Sequence, residues 1–79
     1  MDLYCAFKEK RGDWYHYYYY PDENMDAPGE IAVTDSGERE VINVSKEDIK
    51  NIYAALAFRN LTNGALKPGT KEFQLCFVF

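Results

Sequence analysis

An unbroken run of rings, Trp14, Tyr15, His16, Tyr17, Tyr18, Tyr19 and Tyr20, limits what this chain can fold into. Bulky aromatics suit a pleated surface, so residues 13–20 read as a β-strand. Pro21, which cannot donate a ladder hydrogen bond, ends it.

Upstream, Leu3, Cys5 and Phe7 alternate with Tyr4, Ala6 and Lys8, the period of a half-buried strand over residues 3–9. Arg11-Gly12 fits a two-residue hairpin loop, because glycine supplies the positive φ that such turns demand. That loop places Lys10 opposite Asp13 and pairs Phe7 with His16, Cys5 with Tyr18 and Leu3 with Tyr20. A single helix covers only one face of the sheet. With Leu3, Cys5, Phe7 and Tyr18 turned toward it, Tyr4, Tyr15, Tyr17 and Tyr19 are left toward solvent or a partner.

Residues 21–29 form a polar loop, and residues 29–34 and 38–44 read as short strands around the turn Asp35-Ser36-Gly37. Ser45 then signals a helix start, with Glu47 and Asp48 favourable at the positive end of the helix dipole. Ile49, Ile52, Tyr53 and Leu56 recur at helical spacing and form the stripe expected against the sheet. Asn63-Gly64 is the expected stop, and Pro68-Gly69 marks a further loop. Phe73, Leu75, Phe77 and Phe79 alternate as a last strand. The order β-β-β-β-α-β predicts one small α+β domain over residues 1–79. It has a mostly antiparallel sheet of about five strands and one amphipathic helix on one face. Ala54, Ala55, Phe58 and Leu61 lie beyond the helix stripe, so Ala55 and Phe58 are candidate contacts for a second copy in a homodimer.

Seventy-nine residues allow a single thin core, and an apolar fraction of 47% is ample to fill it. No basic stretch followed by an apolar run marks a secretory signal at the N-terminus. The longest apolar runs, 52–58 and 73–79, fall far short of the ~20 residues that cross a bilayer. A cytoplasmic, non-membrane protein is expected. Cys5 and Cys76 are too few for a secreted disulfide framework and alternate out of phase, so two reduced, buried thiols are expected. Net charge is −4, and residues 22–48 hold nine acids against Arg39 and Lys46. Such a segment repels phosphate and suits a basic partner, besides aiding solubility.

Catalytic chemistry finds little support in the residues. His16 is the only histidine, and neither cysteine has a neighbour that would lower a thiol pKa. Asp22, Asn24 and Asp26 copy the first three ligands of a calcium loop. Ala27 and Val33 then stand where that loop needs glycine and a bidentate glutamate. Asn60-Leu61-Thr62 is a formal glycosylation acceptor without the signal peptide that would expose it to glycosylation, and the scattered glycines make no phosphate loop. No catalytic, metal or cofactor residue is assigned, and the chain is expected to be non-enzymatic.

The tyrosines are the least ordinary feature, since tyrosine offers interfaces a large rigid surface with a polar tip. The reading is a protein-interaction module acting through Tyr4, Tyr15, Tyr17 and Tyr19, or through Ala55 and Phe58 on the helix. By analogy of size and charge alone, it would be a small acidic inhibitor or accessory protein of bacterial or phage type. One alternative is single-stranded nucleic acid stacked on the tyrosine face, where only Lys8, Lys10 and Arg11 supply nearby positive charge. Another is a small-molecule site under the 21–29 loop.

Overall fold

The computed structural model describes residues 2–22, 24–62 and 72–76, with side chains except those of residues 2, 60, 62 and 72–76. Four strands form an antiparallel meander: β1 (Asp2–Arg11), β2 (Trp14–Pro21), β3 (Gly29–Val33) and β4 (Arg39–Asn43). A helix, α1 (Ile52–Thr62), packs on one face, and a last strand, β5 (Glu72–Cys76), pairs with the free side of β1. The sheet order is β4-β3-β2-β1-β5. The α+β class and the antiparallel sheet with a single helix agree with the sequence reading. The expected stop at Asn63-Gly64, the Pro68-Gly69 loop and residues 77–79 lie outside the described residues.

The first hairpin differs from expectation in two ways. Its turn is Gly12-Asp13, one residue later than Arg11-Gly12, with Gly12 at φ +57° and Arg11 opposite Trp14. A bulge then falls between Phe7 and Glu9, so that Lys8 is the extra residue in β1. The later turn alone would shift the pairing by two residues and keep every side chain on its expected face. Lys8 adds a shift of one, and side-chain period two turns that into a reversal. Phe7 now pairs with Tyr17, Cys5 with Tyr19 and Tyr4 with Tyr20.

The core follows from this reversal. Leu3, Cys5, Tyr17, Tyr19, Ile31 and Val33 from the sheet meet Tyr53, Ala54, Ala57, Phe58 and Leu61 from the helix. Small residues at 54 and 57 let the helix lie close to the sheet, while the two tyrosines fill the volume between. Tyr19 stands opposite Gly29, and its ring occupies the space a Cβ would take there. Glycine at position 29 is therefore a packing requirement. Cys5 is a buried free thiol opposite Phe73, whereas Cys76 stands opposite Asp2.

Helix α1 starts seven residues after Ser45. Ser45 Oγ does accept an amide bond, from Glu47 N–H at 3.2 Å, but its hydroxyl donates to Ala27 O at 2.6 Å and ties the 21–29 loop to the helix approach. The helix N-terminus is capped instead by Asp48, whose carboxylate accepts from Tyr53 N–H (2.9 Å) and Ala54 N–H (3.1 Å). The same carboxylate accepts the Tyr19 hydroxyl at 2.9 Å, and Ser45 N–H donates to that hydroxyl at 3.1 Å. Burial, reinforced by the Asp48 carboxylate, pushes the Tyr19 phenol up to about 12. The expected stripe is displaced accordingly: Tyr53 is buried and Leu56 half-buried, while Ile49 and Ile52 are exposed.

Candidate sheet-face interface

The face of the sheet opposite α1 is built from alternate residues of the central strands. Tyr4 and Ala6 on β1, His16, Tyr18 and Tyr20 on β2, and Glu30 and Ala32 on β3 occupy it, by their pairing and by exclusion from the helix-side core. Tyr4 and Tyr20, paired across the strands, stack with centroids 5.8 Å apart and planes at 29°. Tyr18 continues the row at 6.4 Å from Tyr20. All three rings are half-buried, each shielded by its neighbours yet open to contact.

A polar network closes one end of the row. Lys8 Nζ donates to Glu30 Oε1 at 2.8 Å, and the other oxygen, Oε2, lies 3.0 Å from His16 Nδ1. Lys8 also sits 5.3 Å from the centroid of the Tyr18 ring, so the bulge that reverses the register delivers this cation to the tyrosine row. The hydrogen bond from Lys8, then that with His16, holds the Glu30 carboxyl below its ordinary 4.5 against the opposing effect of burial. Its lowered folded-state value means the carboxylate stabilises the fold above about pH 4.5 and loses that contribution as pH falls further. Urea unfolding of the wild type and Glu30→Gln across pH 2–7 should therefore show a stability gap that is widest near neutrality and narrows below the ordinary 4.5.

Among the described residues, Lys8 and Arg11 on this side are already engaged. Lys8 contacts Glu30 and lies 3.9 Å from Glu9, and Arg11 pairs with Glu9 at 2.6 Å. Phosphate groups would have to displace these carboxylates before gaining the cations.

The residues singled out from the sequence are distributed differently from expectation. Tyr17 and Tyr19 are completely buried beneath the helix and form no part of an open face. Tyr15 shares their side of the sheet, half-buried, with its hydroxyl 3.4 Å from Asp35 and Lys10 5.2 Å from its ring centroid. Tyr4 alone keeps its expected place, and Tyr18 and Tyr20 take the positions given to Tyr17 and Tyr19. On α1, Ala55 is exposed, but Phe58 is buried in the core with Arg39 stacked 6.0 Å from its ring centroid. The signal that could have found the open-face residues is the alternation of β3. Ile31 and Val33 must face the helix, and their partners Tyr17 and Tyr15 go with them.

Elsewhere, described residues of the 21–29 loop are tied within the protein. Asp22 Oδ1 accepts the Tyr53 hydroxyl at 2.9 Å, Asn24 Oδ1 accepts Asp26 N–H at 3.0 Å, and Ala27 is buried. Among the described residues no group of three or more His, Cys, Asp or Glu side chains could hold a metal. Burial pushes the Cys5 thiol far above its usual range and removes it as a nucleophile. A shallow cleft of about 230 Å³ lies between the two hairpin turns, lined by Asp13, Trp14, Thr34, Asp35, Ser36 and Glu38. None of the described helices is long and apolar enough to cross a membrane. No protein-family model matches the chain, and no curated protein or solved structure is significantly similar to it.

Proposed function

We propose that this chain is a non-enzymatic protein-interaction module whose contact surface is the sheet face bearing Tyr4, Tyr18 and Tyr20. The observation that carries the reading is the row of three half-buried rings on the side of the sheet away from α1. Tyrosines fixed by stacking lose little side-chain freedom on binding and offer a large rigid contact surface. The acidic segment favours a partner with a basic surface, whose arginines would stack on the rings as Lys8 does on Tyr18. The engaged state of Lys8 and Arg11 favours protein over single-stranded nucleic acid at this face.

The test compares tagged wild type with Tyr18→Ala/Tyr20→Ala in capture from an extract of the source cells, followed by mass spectrometry. Proteins retained by the wild type should be lost from the variant while its melting temperature stays within a few degrees. An identical captured set would exclude this face as the contact surface. Quenching of Trp14 fluorescence by single-stranded DNA, weakening steeply with salt, would favour the nucleic-acid reading instead.

A further inference from the structure

One buried carboxylate on the sheet face away from α1 is shared by two basic side chains. Glu30 and His16 are only 7% and 8% exposed, and Glu30 meets His16 Nδ1 with one oxygen and Lys8 Nζ with the other. An ionised carboxylate only accepts, so Nδ1 carries the hydrogen of the neutral ring and a further proton adds at Nε2. The ring thus becomes an imidazolium without leaving Glu30. Lys8, then His16, hold the Glu30 carboxyl below its ordinary 4.5, so it stays ionised through the range in which histidine changes charge.

Each neighbouring strand brings charge toward His16. On β1, Glu9 stands opposite His16 and pairs with Arg11, while Lys8 is the bulged residue next to it. On β3, Ala32 is opposite His16 and Glu30 lies two residues away; on β4, the exposed Glu40 stands opposite Ala32. Glu72 on β5 pairs with Ala6, two residues along β1 from Lys8. On β2 itself the titratable neighbour on this face is Tyr18, and α1 packs against the other face.

An imidazolium 3.0 Å from Glu30 binds the carboxylate more strongly than the neutral ring does, and it repels the ammonium that shares it. Lys8 is the group able to yield. Its side chain is 28% exposed, against 10% for those of His16 and Glu30, and Glu9 Oε2 lies 3.9 Å from its Nζ. Tyr18 pairs with Ala6, on the other side of Lys8 along β1 from Glu9, so a move toward Glu9 is a move away from the Tyr18 ring. We propose that protonation of His16 transfers Lys8 from Glu30 to Glu9 and lifts it from Tyr18, which makes the cluster a pH-controlled cover over one ring of the tyrosine row. This is a property of the fold and holds whether or not the face binds a protein.

NMR titration of the isotopically labelled chain from pH 8 to pH 5 tests this, with the single histidine giving an unambiguous reference midpoint. The Lys8 Hε resonances, shielded by the Tyr18 ring at high pH, should move toward the position of a free lysine, and the Tyr18 ring resonances should shift with them, both at the His16 midpoint. His16→Phe should abolish that step. Lys8→Gln, at a partly exposed site, should raise the His16 midpoint, because coupling between two sites is reciprocal and the competing ammonium is gone. Lys8 and Tyr18 resonances that stay put while His16 titrates would overturn the proposal. So would the same shifts in folded His16→Phe, or a His16 midpoint unchanged by Lys8→Gln.

Discussion

Tyr17→Ala is expected to cost about 3–5 kcal/mol, the range for removing a large buried aromatic and leaving a partly collapsed cavity. Domains hold only about 5–15 kcal/mol in all, and a chain this short lies toward the lower end. The variant should therefore be substantially unfolded at 37 °C. Tyr17 is completely buried, has Phe7 edge-on at 5.5 Å, and stands between Phe7 and Ile31 in the sheet register. Tyr18→Ala, one residue away, removes a half-exposed ring and a contact with Lys8, and should cost below about 1 kcal/mol. Urea midpoints of the two variants compare them directly. An unbulged hairpin would give the opposite order, because it places Tyr18 inside and Tyr17 outside.

The second large effect belongs to Asp48→Ala. One carboxylate accepts the amides of Tyr53 and Ala54 and the hydroxyl of Tyr19, so its removal leaves three donors in a buried region. Loss of a helix cap costs about 1 kcal/mol, and hydrogen bonds to a charged group are worth about 1.5–3 kcal/mol each. A total of at least about 3 kcal/mol is expected, since such losses are not fully additive. Asp48→Asn keeps one acceptor oxygen and should fall between the wild type and the alanine variant. Far-UV circular dichroism should show a small loss of helix, and the Tyr19 phenol should titrate lower in the variant than in the wild type, because the Asp48 carboxylate that helps push it up is gone.

Much of the architecture was legible because it rests on local rules. Alternation marked the strands, glycine and proline marked the turns, and the helix-rich stretch lay between β4 and the last strand. What failed was decided by contacts distant in sequence. A bulge at Lys8 has no reliable local signature; its ammonium is engaged by Glu30, twenty-two residues away. Ser45 has the composition of a helix cap, yet its side chain donates to Ala27 across the 21–29 loop, and Asp48, held by the Tyr19 hydroxyl, caps the helix by accepting the Tyr53 and Ala54 amides. Ile49 and Ile52, expected on the buried stripe, are exposed, and Phe58, expected on a free helix face, is buried in the core. The face away from α1 carries tyrosines, but other ones than expected: Tyr4 lies there as read, and the even-numbered rings of β2 replace the odd ones.

The face assignment underlies both the fold and the proposed function, and tyrosine nitration of the native protein, mapped by mass spectrometry, tests it most directly. Tyr4, Tyr18 and Tyr20 should be modified in the folded state, with Tyr17 and Tyr19 reacting only after denaturation, as their complete burial requires. Native modification of Tyr17 and Tyr19 with protection of Tyr18 and Tyr20 would contradict the bulged register and remove the surface on which the interaction proposal stands.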